Sequence, residues 1–353
     1  MKRYGNIYEK ICDIDNIKLA IRKASKGKRQ RRSVRRALNN IDETAESIKT
    51  LLETGSFKPS PYRQFTVRDN SSRKEREVFC PKFYPDQIVH WAIMLQIQPI
   101  MERGMYAHSC ASRTGKGAHY GKRYIRKWLD NDRKNMKYCL KLDIRKFYPS
   151  VDHGALKEAL RMKFKDEKLL DVLGVIIDSA EGLPIGNYTS QWFANFILTP
   201  LDHYIGTLEG VSHRMRYMDD IVVFSNSKKK LHEVRKQIEL FIEPLKLELK
   251  GNWQVFKVKS RGIDFLGFRF FFDKTILRRR TALRMRRAVK RAYKSPHPTY
   301  RQCAGVLSRI GLLKHTDTYY FSVKYIKPYL KIKKYKEVIR NERRKQYRSC
   351  SAL

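Results

Sequence analysis

The sequence predicts an α+β protein organised around an antiparallel sheet. Three observations carry this. Residues 213–217 and 221–225 read as short strands separated by Met218-Asp219-Asp220, a hairpin with acids at its tip. Lys137–Ile144 alternates in the manner of a half-buried strand and contains Asp143 near its end. Segments with helical apolar spacing lie between and around these strands.

Taken in order, residues 42–54 read as a helix with Asp42 or Thr44 as its cap. Residues 76–83 read as a strand interrupted near Pro81. Residues 85–103 read as a helix opened by Pro85-Asp86, with Ile88, Ala92, Leu95 and Ile100 on its apolar side. Residues 117–130, 153–164 and 187–206 are predicted helices, the last strongly apolar. An amphipathic helix follows at 228–244. Leu245–Leu249, Trp253–Val258 and Ile263–Phe272 read as strands, and 281–294 as a basic helix.

The 353 residues carry 76 Lys plus Arg against 35 Asp plus Glu, a net charge of +41. Solubility asks for a net charge of only about 2–8 on a small domain, so the excess points to a polyanionic partner, nucleic acid first. The charge is clustered. Residues 22–36 hold nine Lys/Arg and no acid, and residues 274–294 hold ten and no acid. Residues 331–348 form a third basic block. No run of about 18 apolar residues suggests a membrane span, and the charged N-terminal residues do not read as a signal peptide. The six cysteines are scattered without a C-x-x-C pair, which argues against a zinc site or disulfide framework and for a reducing cytoplasm.

Two segments suggest chemistry. Adjacent acids in Tyr217-Met218-Asp219-Asp220 repel one another unless a cation binds. Asp143, in Leu142-Asp143-Ile144-Arg145-Lys146-Phe147-Tyr148, sits at the end of a strand that can meet the hairpin. Three carboxylates around one point make a hard-oxygen site suited to Mg²⁺, and two such ions about 3.5–4 Å apart can activate a 3′-hydroxyl and stabilise leaving pyrophosphate.

The order of these motifs resembles the reverse transcriptase family over about residues 60–300. An Asp-x-x-x-x-aromatic strand (Asp143–Tyr148), a Gly-containing helix start (Leu183-Pro184-Ile185-Gly186), a Y-x-D-D hairpin (Tyr217–Asp220) and an F-L-G-F segment (Phe265–Phe268) follow in sequence. The resemblance implies a right-hand polymerase with fingers, palm and thumb. On this reading residues 1–60 are a basic N-terminal extension and 61–136 the fingers. Residues 137–272 are the palm, with part of the fingers at about 153–182, and 273–353 a basic thumb and tail. It implies RNA-directed DNA synthesis with two Mg²⁺ ions, Mn²⁺ substituting, on template RNA and dNTPs in a prokaryotic cytoplasm.

Carried over by position, Asp143, Asp219 and the weaker Asp220 ligate the metals, with the backbone carbonyl of Ile144. Tyr148 matches the aromatic that excludes a ribose 2′-hydroxyl. Arg76, with Lys74 nearby, falls where the fingers contact the triphosphate; Arg suits phosphate through its planar donor fork. Ile185, Gly186 and Gln191 line the nucleotide side. Phe265, Leu266, Gly267 and Phe268 resemble the primer grip. Lys250 falls near the position of a general acid for pyrophosphate. Arg278, Arg279, Arg280, Arg284, Arg287 and Arg291 would follow the RNA–DNA duplex, and Tyr293, Tyr300, Tyr319, Tyr320 and Tyr325 could stack on single-stranded bases.

Within the family, Ile185-Gly186-x-x-x-Ser190-Gln191 looks like the reverse transcriptases of diversity-generating retroelements, where many relatives have Gln before this Gly and Pro after this Ser. Ile185 cannot donate a hydrogen bond beside the nascent pair, which fits error-prone synthesis. The segment Ser109–His119 also resembles this and the group II intron set, its Gly/Lys loop reading as a nucleic-acid contact. The basic blocks would hold a structured RNA or a small accessory protein. The length after the basic helix leaves no room for an RNase H or integrase domain. Three other readings stay open: a defence-associated stand-alone reverse transcriptase, a non-catalytic maturase-like RNA-binding protein, and an RNA-dependent RNA polymerase. The intact acids argue against the second of these and Tyr148 against the third.

Overall fold

A computed structural model describes residues 3–68 and 75–351, with side chains through residue 342 and that of Arg344. The chain forms two compact units, residues 1–117 with 140–255 and residues 118–139 with 256–353. Residues 118–139 thus group with the C-terminal part of the chain rather than with 61–117.

The first unit opens with four helices, α1 (Tyr8–Cys12), α2 (Ile14–Ser25), α3 (Arg32–Asn39) and α4 (Ile41–Glu53). The basic N-terminal segment is therefore folded. Ile17, Ala20, Ile21 and Ala24 recur at helical spacing and are buried, while Arg22 and Lys23 point outward. The buried stripe packs on α5 (Ile88–Arg103). Asp13 caps α2 through the N–H groups of Asp15 and Asn16. An exposed hairpin, β1 (Arg63–Arg68) and β2 (Glu75–Cys80), runs from the pair Arg63–Cys80 to Arg68–Glu75.

β3 (Tyr138–Asp143) leads through α7 (Phe147–Ser150) to α8 (His153–Lys163), capped by Asp152, and α9 (Glu167–Ile177), capped by Asp166. The Asp166 carboxylate also accepts the Ile7 and Tyr8 N–H groups at 2.8 Å, fastening the N-terminus to this unit. The helix expected over 187–206 is two helices, α10 (Tyr188–Ile197) and α11 (Thr199–Thr207), which meet at Leu198. Pro200 has no N–H for the helical ladder and starts the second helix instead. β4 (His213–Tyr217) and β5 (Asp220–Ser225) form the expected hairpin, and α12 (Lys228–Ile242) follows. The strand expected at 245–249 is absent. Glu243–Leu245 form a 3₁₀ turn around Pro244, Lys246 is left-handed at φ 54°, and only Leu249 bridges to Ile144. The sheet order is β4-β5-β3-β6, with β6 at Gln254–Lys257, and the boundary between the units passes through β3 and β6.

The second unit holds α6 (Ala118–Asn131) and, after α13 (Val258–Arg261), a three-stranded sheet of β7 (Ile263–Phe265), β8 (Phe268–Phe270) and β9 (Thr275–Leu277). The strand expected over 263–272 is thus broken at Leu266-Gly267, whose φ angles of 54° and 85° make a hairpin turn. α14 (Arg279–Lys294) packs with α15 (Tyr300–Ile310), which carries a Thr299–Gln302 capping box; α16 (Tyr319–Tyr325) and α17 (Ile332–Ser351) complete the unit. None of the described helices is long and apolar enough to cross a membrane.

Candidate active site

The site forms where β3 ends beside the β4–β5 hairpin. β3 and β5 are neighbours, so Asp143 closes one strand next to the turn that carries Asp219. The fully buried Ile144 donates its N–H to the Asp219 carbonyl at 3.2 Å. The carboxyls of Asp143 and Asp219 interact: burial raises the Asp219 pKa first, and the Asp143 charge raises it further. Lys250 and Arg76 pull it back.

Each outer acid has a lysine. Lys250 pairs with Asp143 through its ammonium group, and its N–H donates to the Asp143 carbonyl at 2.8 Å. Lys141 lies 3.4 Å from Asp220. Asp220 opposes Tyr217 as the first residue of β5. Its Oδ1 is buried without a hydrogen-bond partner, and burial pushes its carboxyl up to about 6. Among the described residues, no group of three or more His, Cys, Asp or Glu side chains is gathered closely enough to hold a metal ion. The charges of Asp143 and Asp219 both reach Asp220 and raise its carboxyl further, so the three acids act on one another electrostatically.

Tyr148 stands over the hairpin, its hydroxyl 3.7 Å from the Met218 sulfur. Burial, with the Asp219 charge second, lifts its phenol to about 12. Arg76 is exposed on β2, and its charge acts on both Asp219 and Tyr148. Lys74 lies outside the described residues.

The Ile185 carbonyl accepts the Phe79 N–H of β2 at 2.8 Å. Gly186 has φ +128°, and an added Cβ would lie 2.2 Å from the Phe79 oxygen. The Ile185-Gly186 turn is thus the backbone seat of β2. Leu183 donates to the Tyr148 carbonyl at 2.8 Å, which ties the same loop to the site. Gln191 is exposed on the first turn of α10.

Phe265, Leu266, Gly267 and Phe268 belong to the second unit. Phe265 and Phe268 are core residues, and the Leu266-Gly267 turn accepts the Arg278 N–H at the Gly267 carbonyl, 3.2 Å away. Arg278 precedes α14 and pairs with Asp264. On α14, Arg280, Arg284, Arg287 and Arg291 recur at helical spacing along one side, and Arg279 is exposed at its start. Arg286 and Lys290 stack over Tyr325 and Tyr329 at 4.5 and 5.0 Å. Tyr319 and Tyr320 are 67% and 86% exposed.

The loop at 109–119 is only partly a surface feature. Ser109, Cys110, Ala111 and Arg113 are buried, and Cys110 donates to the Arg216 carbonyl at 2.8 Å. Sequence reasoning also missed Arg216 itself. It is 1% exposed, the fourth residue of β4 and two before Met218. The available signal was an Arg in a strand of otherwise apolar or outward-facing residues.

Residues 67–270 match the reverse transcriptase (RNA-dependent DNA polymerase) family, more than half of the chain. The chain belongs to that family, and its fold is the right-hand polymerase fold. Similar proteins include Protein YkfC of Escherichia coli K12, 24% identical over 44% of this chain and 43% of its own length. The group II intron-encoded protein LtrA of Lactococcus lactis subsp. cremoris is 21% identical over 65% of this chain and 51% of its own. The retron Ec73 reverse transcriptase of Escherichia coli is 28% identical over 35% and 44%. The chain spans about half the length of the curated relatives it matches. A solved chain of apo telomerase from Candida tropicalis aligns over 77% of this chain and 57% of its own, at TM-score 0.47 and 12% identity.

Proposed function

We propose that the chain is an RNA-directed DNA polymerase that copies template RNA from dNTPs by nucleotidyl transfer. The observation that carries this is the position of Asp143 at the end of β3 beside the turn that bears Asp219, where the Asp143 charge is felt at Asp219. Hard carboxylate oxygens on two neighbouring, half-buried acids fit divalent magnesium or manganese. Asp143, Asp219 and the Ile144 backbone would hold such ions, with Asp220 as a further carboxylate. Bound there, the ions supply charge stabilisation for phosphoryl chemistry.

The protein's own groups do the rest. Arg76 adds positive charge on the open side for a triphosphate. The Tyr148 ring, backed by Met218, gives a floor that a ribose 2′-hydroxyl would strike. Lys250, which pairs with Asp143, would be the general acid for leaving pyrophosphate on this reading. In the second unit, the α14 arginines and their neighbouring tyrosines form a basic aromatic surface for an RNA–DNA duplex and unpaired bases. Fingers at 61–136, palm at 137–272 and thumb at 273–353 follow on this reading.

The finer assignment is to the diversity-generating type, with a structured RNA or small accessory protein on the basic blocks. It is supported by Ile185-Gly186 and Ser190-Gln191. In a primed-template assay, RNA template with dNTPs should give full-length product and rNTPs should not, while Tyr148→Ala admits rNTPs. Equal use of both by the unaltered chain refutes the reading. Ile185→Gln should lower misincorporation at template adenines; an unchanged error spectrum removes the diversity-generating assignment.

A further inference from the structure

We propose that Arg216 is the positioning residue of the catalytic turn: its buried guanidinium, locked by Asp202 and Asn195, grips the Met218 carbonyl and thereby sets where Asp219 stands. This rests on the polymerase reading for the role of Asp219 and goes beyond it in saying what fixes that residue.

All five N–H donors of the guanidinium are engaged. Nε and Nη2 donate to the two Asp202 oxygens at 2.8 and 2.6 Å, a bidentate pair. Nη1 donates to Asn195 Oδ1 and to the Met218 carbonyl, both at 3.1 Å, and Nη2 also donates to the Asn195 carbonyl at 3.3 Å. The side chains of Arg216 and Asp202 are 1% and 3% exposed, and Asn195 is fully buried.

Two features say that this is more than packing. A buried ion pair is a poor source of stability, because apolar residues of similar volume often do as well or better. Its value lies in geometry, and its geometry here is directed at Met218. Met218 has φ +54°, a left-handed conformation that an unbranched side chain adopts only when its surroundings impose it. Arg216 holds the carbonyl of that strained residue from below, while the Ile144 N–H holds the next carbonyl, that of Asp219. The turn is clamped on two consecutive carbonyls, one from the core and one from the strand that carries Asp143. The other side of the core clamp is anchored as well: Asn195 donates to the Ala111 carbonyl at 2.9 Å, and the Arg216 backbone bonds to His108 and Cys110.

The test uses Arg216→Met with Asp202→Leu, which removes both charges together and avoids leaving one buried and unpaired. A second variant, Arg216→Lys, keeps the charge on Asp202 without a fork that can also reach Met218. Amide hydrogen exchange is measured over peptides spanning 214–221, alongside kcat and KM for dNTP. The proposal expects faster exchange at the hairpin tip than in unaltered protein, with α10 and α11 little changed. It expects kcat lower by about 10²-fold, the cost of a displacement near 1 Å at a reacting centre, and KM within about twofold. Arg216→Lys should lie between. If either folded variant keeps unaltered exchange at 217–220 and full kcat, the proposal is wrong. If the double variant does not fold, Arg216→Lys alone decides by the same two readouts. Failure of the unaltered chain to extend any primer would count against the polymerase reading, and the exchange result would still judge the clamp.

Discussion

Replacing Gly186 with Ala should loosen the seat of the β1–β2 hairpin. The new Cβ would lie 2.2 Å from the Phe79 carbonyl oxygen and 3.1 Å from its carbon, both backbone atoms that cannot swing aside as a side chain can. The φ of +128° adds a conformational penalty of about 1–3 kcal/mol for a residue with a side chain. Relieving the clash moves Phe79 and sacrifices its 2.8 Å bond to the Ile185 carbonyl, worth about 1 kcal/mol net. The sum is about 3 kcal/mol, and for a unit of this size the unfolding midpoint should fall by roughly 6–12 °C. Because β2 carries Arg76, KM for dNTP should rise as well. Gly267→Ala is the comparison: φ is +85° there, but nothing lies within 4 Å of the added carbon. Strain alone predicts a loss of about 1 kcal/mol. Differential scanning calorimetry of both variants separates the cases. Equal midpoints for the two would refute the argument that close approach to Phe79, and not the turn alone, requires Gly186.

The Asp220 carboxyl, pushed up to about 6 by burial, favours its protonated form in the folded chain. Its contribution to stability is therefore complete below the ordinary carboxylate range and is lost as pH rises through about 6, by roughly 1–3 kcal/mol. With chelator present, Asp220→Asn should narrow the difference in melting midpoint between pH 4.5 and 7.5, and an unchanged difference would count against the buried charge. Burial lifts the Cys110 and Cys12 thiols to about 12 and 11. At pH 8 iodoacetamide should therefore label the half-exposed Cys80 well before either, as read by peptide mass; early labelling of Cys110 would contradict its burial. Replacing Arg280, Arg287 and Arg291 with Gln should flatten the salt dependence of duplex binding by about 0.7–0.9 in log–log slope per lost phosphate contact, and an unaltered slope would remove α14 from the duplex surface.

The strands around the acids were legible from the apolar alternation of Tyr138–Asp143 and from the β-branched run Ile221–Val223 just after the turn residues. Asp143 and the 217–220 hairpin could be paired from sequence for that reason. What lay between them could not. Arg216 depends on Asp202 and Asn195, 14 and 21 positions away, and periodicity carries no information about which side chain crosses to which. Charge also masked structure. The basic block begins at Arg22, and the helical spacing of Ile17, Ile21 and Ala24 just before and within it is outweighed by that charge in a reading by composition. At Ile263–Phe270 the aromatic and aliphatic residues on either side of Gly267 concealed a turn, because Leu266 adopts a positive φ that its side chain does not advertise. At Asp220 the carboxylate was foreseen but not its partner Lys141, 3.4 Å away on the neighbouring strand, because a strand pattern does not say which side chains meet across it.

Single-turnover extension of a DNA primer on an RNA template, with saturating dNTP and Mg²⁺, measures the central claim most directly. The account predicts that Asp143→Asn and Asp219→Asn each slow the chemical step by about 10²–10³-fold or more while primer–template affinity stays within about twofold. Extension by either variant at the rate of the unaltered protein would contradict it.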